Sequence, residues 1–574
     1  MKSNKHGRRE RAGALRRMAV AVGLVAAGGS GVVSAVSLDT GNPDLEVKWD
    51  NTIRVSAGWR VEEIDDALGD NFQYDESDYK FEDGDMVAQR LDLYSELDLV
   101  WRGDYGARVA VAGWYDPVYD DTDVAQNPRP CSVPWDGTAC AGLPSSYHNK
   151  EYSDLTEDFY LGPYGEVLDA FLFANHSVGG VPLSVKAGQL TTYWGMALFY
   201  PGGIAQSQHP IDGRKGAANP GSEVKELFLP LTQINLQAQL TPTIAVEMQY
   251  YFDWANTRAP EGGTFLAPAD LTMQGPDQLG GDPLASANLP RRAPLEPDDQ
   301  QGNWGVNFKF NPDFLRGQTV GVYYREFDEK VPWVFLALPT MDHPKDLGYR
   351  AVYAENTKLA GVSFDGQIGQ WAVGGEVGYH MDTGLKSTGF AFAEDGARGD
   401  TWHALVNAIY LLDRGALWDT GNLALELTYD RLDDVTENED LFVRVDHGNT
   451  CTIGRNGPPG SWKDNCATKD AWGLNVRFAP QWLQVLPSLD VTLPVSYQTG
   501  LRGNSAISAY GVNEDATSLS IGVQLDYKVI HRLTVEYADS FSKRHTLNDV
   551  AVSGNGNYGV TDRGRVMVTY KVAF

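Results

Sequence analysis

The chain has 574 residues, with 61 Gly, 29 Pro and 11% aromatic residues. Its 47 basic and 76 acidic residues give a formal net charge of −29, which excludes a nucleic-acid-binding protein because phosphate recognition requires a basic surface. The aromatic content argues against disorder, and a mean hydropathy of −0.33 still permits a membrane protein, since a β-barrel crosses a bilayer with alternating residues.

Residues 1–35 have the composition of a secretory signal peptide. Seven basic residues precede an apolar stretch over residues 18–33, and Val-Ser-Ala at 33–35 is a small-residue cleavage pattern. A membrane anchor is the less favoured alternative because the stretch is short and rich in Gly. Cleavage removes seven basic residues and one acidic residue, so the mature chain from residue 36 to 574 has 40 basic and 75 acidic residues and a net charge of −35.

Apolar and polar residues alternate with period two along the mature chain. Such alternation predicts strands with one apolar and one polar face. The segments run about 10–13 residues, which exceeds the roughly 5–6 of soluble sandwiches and suits a tilted crossing of a bilayer. We predict eighteen strands, near residues 46–60, 89–101, 105–117, 166–176, 182–192, 232–240, 243–254, 302–311, 317–328, 351–366, 370–382, 401–413, 421–434, 471–481, 489–500, 517–528, 532–543 and 564–574.

The links between these strands alternate between short and long. Short turns and long outer loops are typical of bacterial outer-membrane barrels. The sequence therefore predicts an all-β fold, a transmembrane antiparallel β-barrel of 16–18 strands, most simply eighteen, in the Gram-negative outer membrane. Its nearest neighbours there would be outer-membrane lipid and lipopolysaccharide. The long links are 61–88, 118–165, 193–231, 255–301, 329–350, 383–400, 435–470, 501–516 and 544–563.

The predicted last strand ends the sequence with an alternating apolar pattern. Tyr570, Val572 and Phe574 have the arrangement of the signal that the outer-membrane assembly machinery reads, so we expect that machinery to be a partner. Only about ten residues separate the expected cleavage site from the first strand, which leaves no room for a globular plug domain. We therefore expect one domain, a barrel with its loops, over residues 36–574.

The four cysteines form two local pairs within long polar loops. Cys131 is close in sequence to Cys140, and Cys451 to Cys466. An even number of cysteines in an exported chain predicts disulfides that close these loops. A zinc site is less favoured because the chain has no C-x-x-C motif, and we expect neither a metal nor a cofactor.

The link over residues 193–230 is more apolar than the other long links, which we expect to be solvated surface loops. A loop this apolar would be unstable in water, and we therefore predict that it folds into the lumen. There it would act as a constriction that presents aromatic and charged groups to a solute, or as a rigid plug that only fills the barrel. The candidate constriction residues are Tyr193, Trp194, Met196, Phe199, Tyr200, His209, Asp212, Arg214 and Lys215.

The sequence favours transport over catalysis. It has no G-x-S-x-G motif, and His209 near Asp212 is more simply a buried structural histidine than part of a catalytic triad. We expect no enzymatic activity and a channel or transporter for small molecules. Two alternatives remain, a general porin that prefers cations because of the negative net charge, and a structural or adhesive surface barrel.

Several motifs resemble a known family. Residues 39–45, 49–52 and 56–60, followed by shorter motifs within 166–230, resemble in order the proteobacterial domain of unknown function 1302 family. The resemblance implies an outer-membrane barrel that handles steroid- or fatty-acid-like compounds with a periplasmic lipid-binding-like protein and an RND-type inner-membrane transporter. Family members often have Glu after Trp-Gly, where this chain has Met196.

Overall fold

The computed structural model describes residues 36–127, 145–218, 224–279, 289–315, 317–337, 347–389, 391–445, 450–453, 457–508 and 510–574. The predicted signal peptide and the predicted Cys131–Cys140 bridge lie outside these residues.

The described residues form one antiparallel sheet that closes on itself as a barrel of eighteen strands. Each strand pairs with the next in sequence, and the last pairs with the first, from Thr52 opposite Ala573 to Arg60 opposite Arg565. The predicted strand count is therefore confirmed. The strands are β1 Leu45–Arg60, β2 Met86–Trp101, β3 Tyr105–Tyr115, β4 Tyr164–Val178, β5 Val181–Leu190, β6 Leu231–Thr241, β7 Ile244–Tyr251, β8 Trp304–Phe310, β9 Thr319–Phe327, β10 Thr357–Ile368, β11 Trp371–Gly384, β12 Arg398–Leu411, β13 Thr420–Glu437, β14 Asp470–Leu486, β15 Leu489–Thr492 with Val495–Arg502, β16 Thr517–Tyr527, β17 His531–Phe541 and β18 Arg565–Ala573.

Two strands differ from the predicted ones in an informative way. The strand expected from residue 351 begins at Thr357, because Gly348–Val352 pairs with Trp333–Ala337 in a separate hairpin. This hairpin lies at the end of the barrel that carries the long loops, which we call the loop end; the opposite end, with the short turns, is the turn end. The strand β15 is interrupted at Pro494, which has no backbone N–H to contribute to the sheet.

The two faces of the barrel wall have opposite polarity. On β13, Glu426 and Asp430 are buried inside the barrel, whereas the alternating Leu425 and Leu427 face outward. On neighbouring strands the outward side chains of Val377 and Val406 are 48% and 59% exposed. A belt of exposed apolar side chains around a closed sheet is unstable in water and matches the hydrocarbon core of a bilayer.

The remaining elements are short and are not part of the barrel wall. No helix in the described ranges is long and apolar enough to span a membrane. The helices are α1 Asp66–Gly69, α2 Asp75–Tyr79, α3 Asp154–Tyr160, α4 Gly213–Ala218 and α5 Val224–Leu227, with 3-10 turns at Pro117–Tyr119, His148–Lys150, Gly203–Ala205, Asp313–Leu315, Glu439–Leu441, Trp462–Asp464 and Tyr558–Val560, a second hairpin of Arg544–Leu547 with Val550–Gly554, and a short strand Val36–Leu38 beside β1.

The long loops are not simply solvated, contrary to the expectation from their composition. Asp78, which belongs to an acidic stretch, is fully buried and accepts hydrogen bonds from Arg60 and Arg563. Burial is stable here because each charge is paired with an opposite one. Aromatic side chains from three loops, those after β1, β3 and β7, pack together at the same end of the barrel: Phe81, Tyr119, Tyr147, Tyr152 and Phe265.

The predicted Cys451–Cys466 bridge is present in the loop between β13 and β14, with Cα atoms 5.8 Å apart. At the turn end, the backbone of Phe574 forms two hydrogen bonds with Asn51, of 2.7 and 2.9 Å, so the carboxyl terminus completes the closure of the barrel. The hydroxyl of Tyr570 is 2.8 Å from Nδ1 of His531, and Val572 pairs with Ile53. The role of this terminus in assembly stays a prediction.

Candidate functional site

The link between β5 and β6 lies inside the barrel, as predicted. We call residues 193–230 the lumen segment; the structure describes 193–218 and 224–230 of it. Trp194 and Ile204 are almost completely buried and pack against Tyr323 and Leu359, which point inward from β9 and β10. An apolar segment thereby gains apolar contacts in a lumen that is otherwise lined with polar groups.

Two inward carboxylates of the barrel wall bind the backbone of the lumen segment. Glu376 on β11 accepts the N–H groups of Met196 at 2.6 Å and Ile204 at 2.9 Å. Glu426 on β13 accepts three consecutive N–H groups, those of residues 198, 199 and 200, at 2.6, 3.1 and 2.8 Å. An irregular chain inside a barrel has no sheet partner, so these side chains satisfy its buried N–H groups.

Two glycines allow this close approach. Gly195 and Gly203 have φ angles of 93° and 77°, which other residues rarely adopt. A Cβ atom at these positions would lie 2.6 and 2.3 Å from the carboxylate oxygens of Glu376. Glycine is therefore required at both positions, first for the backbone conformation and then for the space beside the carboxylate.

The centre of the lumen segment is held by two further charged residues, Arg325 of β9 and Glu329, which follows the end of that strand. Nη1 of Arg325 donates to the carbonyl oxygens of Ile204 and Gln206, both at 2.7 Å. The side chains of Gln206 and Ser207 donate to Glu329 at 3.0 Å each. Carboxylate and guanidinium groups of the wall thus bind both the donors and the acceptors of the segment.

His209 lies inside the folded lumen segment and is hydrogen-bonded to the backbone of Thr192. It is buried, its Nε2 accepts the N–H of Thr192 at 2.8 Å, and burial lowers the pKa of its imidazole to about 3. The ring is therefore neutral at physiological pH and keeps an acceptor available for the backbone.

The predicted constriction aromatics are in two different environments. Trp194 and Tyr200 are buried, and the Tyr200 hydroxyl donates to Asp430 at 2.8 Å. Tyr193 is 43% exposed and stacks on Phe228, with ring centroids 5.8 Å apart. Phe199 is partly exposed, as is Met196. Most of these side chains fix the segment in place, so they do not together form a pocket for an apolar solute.

A polar cavity lies beside Tyr200 and Pro201, between the lumen segment and strands β14 to β17. It contains about 1050 Å³ of empty space, counting the solvent to which it opens. None of its described lining residues is charged, and most wall positions carry amide or hydroxyl groups, for example Asn475, Gln498 and Thr517. The lumen segment therefore narrows the barrel and leaves a water-compatible space beside it.

A second cavity contains the three charged candidates Asp212, Arg214 and Lys215. It has about 670 Å³ of empty space, again counting open solvent, and lies against β2, β3 and β18 near the loop end. We call it the aromatic–cationic cavity because its lining includes four basic residues and five aromatic rings. They are Arg90, Arg214, Lys215 and Arg565 with Trp114, Tyr119, Phe159, Tyr160 and Phe265.

Ion pairs hold the charged part of the lumen segment in this cavity. Asp212 accepts from Arg214 at 2.9 Å and from Arg258 at 3.3 Å, while Lys215 and Arg258 both bind Glu166 of β4. Burial alone would raise the pKa of Asp212, but Arg214, Lys215 and Arg258 hold it well below its usual range. Asp212 therefore remains ionised and serves to position the basic groups.

Aromatic rings support the basic side chains of the cavity. Arg90 and Lys215 lie over the ring of Trp114, at 4.7 and 4.8 Å from its centroid. Arg214 lies over Phe159 at 3.6 Å. None of the aromatic residues of this cavity was a candidate from the sequence. They come from one strand end and from loops distant in the chain, and no local pattern connects them.

Comparison with solved structures gives similarities at low identity. The outer membrane channel DcaP of Acinetobacter baumannii has 10% identity and a TM-score of 0.37, covering 94% of this chain and 100% of that chain. For OpdK of Pseudomonas aeruginosa with vanillate the values are 11%, 0.37, 92% and 99%, and for OccAB1 of Acinetobacter baumannii 11%, 0.40, 92% and 96%. These scores are too low to carry an inference, so the barrel rests on its own strand pairing.

No curated protein matches the chain. The family model described as protein of unknown function (DUF1302) matches residues 16–574, nearly the whole length, in agreement with the resemblance of the sequence motifs. The chain belongs to the DUF1302 family.

Proposed function

We propose that this protein is an outer-membrane channel for small hydrophobic or amphipathic molecules, narrowed by the lumen segment. The observation that carries the proposal is the lumen segment itself, bound to the wall through Glu376 and Glu426 with cavities left beside it. An eighteen-stranded barrel is wide enough for an aqueous pathway, so a segment that fills it incompletely determines what passes.

The distribution of charge favours this proposal over a general porin that prefers cations. The polar cavity has no charged residue in its described lining, and the aromatic–cationic cavity has more basic than acidic groups. The linings of these two cavities therefore do not share the negative excess of the whole chain, whose net charge is −29. Charge that lies in exposed loops is screened by salt within about 8–10 Å and has little effect on selectivity in the lumen.

We place the short turns in the periplasm and the long loops outside the cell, with the barrel embedded in outer-membrane lipid and lipopolysaccharide. Energy then comes from the solute gradient or from a partner. The partner we propose is a periplasmic lipid-binding-like protein that links the channel to an RND-type inner-membrane transporter. Co-purification after cross-linking in the native membrane tests this partnership separately from channel activity.

Deletion of residues 198–222 tests the proposal. The folded deletion variant should have a higher single-channel conductance in planar bilayers than the complete protein, and liposomes containing it should lose selectivity between 3-phenylpropionate and a sugar of similar size. Heat-dependent migration in gels checks that the barrel is closed. A normally folded deletion variant with unchanged conductance and selectivity would contradict the role of the lumen segment, and a complete protein without conductance or flux would contradict the channel.

A further inference from the structure

The aromatic–cationic cavity has free hydrogen-bond donors and occupied acceptors. Arg90 and Arg214 are more than nine-tenths buried, yet Nη2 of Arg90 and Nη1 of Arg214 have no hydrogen-bond partner among the described residues. A buried guanidinium N–H without an acceptor is costly, so such donors indicate a missing acceptor group. Both residues line the same cavity.

The carboxylates of the cavity are already engaged. The two oxygens of Asp212 accept from the side chain of Arg214, the side chain of Arg258 and the backbone N–H of Lys215. Asp116 accepts two backbone N–H groups, both through Oδ1, at 3.0 and 3.1 Å. A cationic ligand would have to compete with the bonds of Asp212, whereas an anionic ligand finds Nη2 of Arg90 and Nη1 of Arg214 without a partner among the described residues.

We propose that this cavity is a binding site for a small amphipathic carboxylate, whose carboxylate is held by Arg90 and Arg214 and whose apolar body packs on the aromatic rings. The inference rests on the proposed function and defines the substrate class of the channel. The rings of Trp114, Phe159 and Phe265 supply the apolar surface. An apolar pocket with a few convergent polar groups is the usual plan of a small-molecule site.

The lining favours an amphipathic carboxylate over inorganic phosphate. Lys215 is already bound to Glu166, and the Nε atom of Arg90 to Asp92 at 2.8 Å. The two guanidinium nitrogens without a partner among the described residues belong to different side chains, and the two oxygens of one carboxylate can accept from both. The aromatic rings add apolar contacts that inorganic phosphate cannot make.

The site also contains part of the lumen segment. Arg214 lies on α4 of this segment, whereas Arg90 lies on β2 of the wall. A carboxylate that binds both side chains joins the segment to the wall at the loop end of the barrel. A ligand that enters the barrel from the loop end therefore contacts the lumen segment at its point of entry.

Equilibrium binding to the full-length protein in lipid nanodiscs tests the inference without requiring conduction. The probe is 3-phenylpropionate, compared with its neutral amide, with 3-phenylpropylamine and with inorganic phosphate. We expect the carboxylate to bind about tenfold or more tightly than each of the other three, because only it combines an anionic acceptor with an apolar body.

The variants Arg214→Gln and Arg90→Gln should each weaken binding of 3-phenylpropionate about tenfold or more. Either substitution leaves the neighbouring carboxylate paired, since Asp212 keeps Arg258 and Asp92 keeps Arg54 at 3.5 Å. The matched control is Lys186→Gln, which removes one positive charge from β5 and does not touch the cavity; it should change binding less than about twofold.

Three results would overturn the inference. These are equal binding of the carboxylate and the amide, binding of phosphate as tight as that of 3-phenylpropionate, and undiminished binding to both folded arginine variants. Binding with this pattern but no conductance or flux in bilayers would contradict the channel and leave the carboxylate site standing. Conductance without binding would contradict the site alone.

Discussion

Substitution of Glu426 by alanine should release the lumen segment from the barrel wall. Its carboxylate, on β13, accepts three consecutive backbone N–H groups of the segment, and the residue is completely buried. In Glu426→Ala these three N–H groups lose their acceptor, while the outward face of β13 and its sheet hydrogen bonds stay the same. The barrel should therefore form normally.

The expected magnitude follows from the three hydrogen bonds. A hydrogen bond to a charged group contributes about 1.5–3 kcal/mol. Water can enter the space left by the side chain and replace part of this, so we take the loss as about 3 kcal/mol. Since about 1.4 kcal/mol corresponds to a factor of ten, the displaced state of the segment should become about 100 times more populated relative to the bound state.

Single-channel recording measures this population directly. In Glu426→Ala, transitions to a larger conductance should become about 100 times more frequent or longer-lived than in the unaltered protein. The matched control is Glu247→Ala, which removes an inward carboxylate of β7 that contacts Asn235 at 2.9 Å and Lys309 at 3.6 Å and no part of the described lumen segment. Its gating should match that of the unaltered protein.

A Glu426→Ala protein that folds normally and keeps the conductance levels and transition frequency of Glu247→Ala would contradict this role of Glu426. Equally frequent opening of both variants would contradict it as well, because the effect would then come from the lost negative charge. Glu426→Gln separates charge from hydrogen bonding further. It keeps one acceptor oxygen and should lie between the alanine variant and the unaltered protein.

Further predictions concern three other regions. Gly203→Ala should increase opening as Glu426→Ala does, because its Cβ would meet the carboxylate of Glu376 at 2.3 Å; single-channel recording checks this. Burial raises the pKa of Asp116 to about 6. Binding of 3-phenylpropionate should therefore strengthen as the pH falls from about 7.5 to 5.5, because Asp116 becomes neutral. The variant Asp116→Asn should remove this pH dependence in the same nanodisc assay. Loss of the Cys451–Cys466 bridge, which spans 15 residues, should lower the stability of that loop by about 3 kcal/mol and increase its cleavage by protease. The heat-dependent gel migration of the barrel should not change.

The barrel was predictable because its strands obey one local rule. A residue that faces lipid must be apolar, and its neighbour in the strand faces the lumen. Every second residue of a wall strand is therefore apolar, and this alternation can be recognised in the sequence. Leu425 and Leu427 with Glu426 between them are sufficient to orient β13. The rule failed at residues 351–352, where an alternating run pairs with another loop strand, because alternation does not specify the partner.

The environment of the loops was not predictable in the same way. Composition alone made the acidic stretch around Asp78 look solvated, whereas its partners Arg60 and Arg563 lie 18 and 485 residues away in sequence. Likewise, Trp114 and Phe159 join Arg214 in one cavity only after the loops fold together. Contacts at such separations are set by the closed barrel, and a single sequence contains no periodic signal for them.

The position of the lumen segment is determined more by the wall than by the segment. Its apolar composition predicted that it enters the barrel, but its backbone is irregular from Gly195 to Gly203 and cannot satisfy its own N–H groups. The acceptors come from Glu376 and Glu426, and the donor for its carbonyl groups comes from Arg325. In the strand pattern these residues are ordinary polar positions of an inward face. Their role follows only from the register of three strands, which brings them opposite the same segment. Substitutions in the wall should therefore alter the channel as strongly as substitutions in the segment.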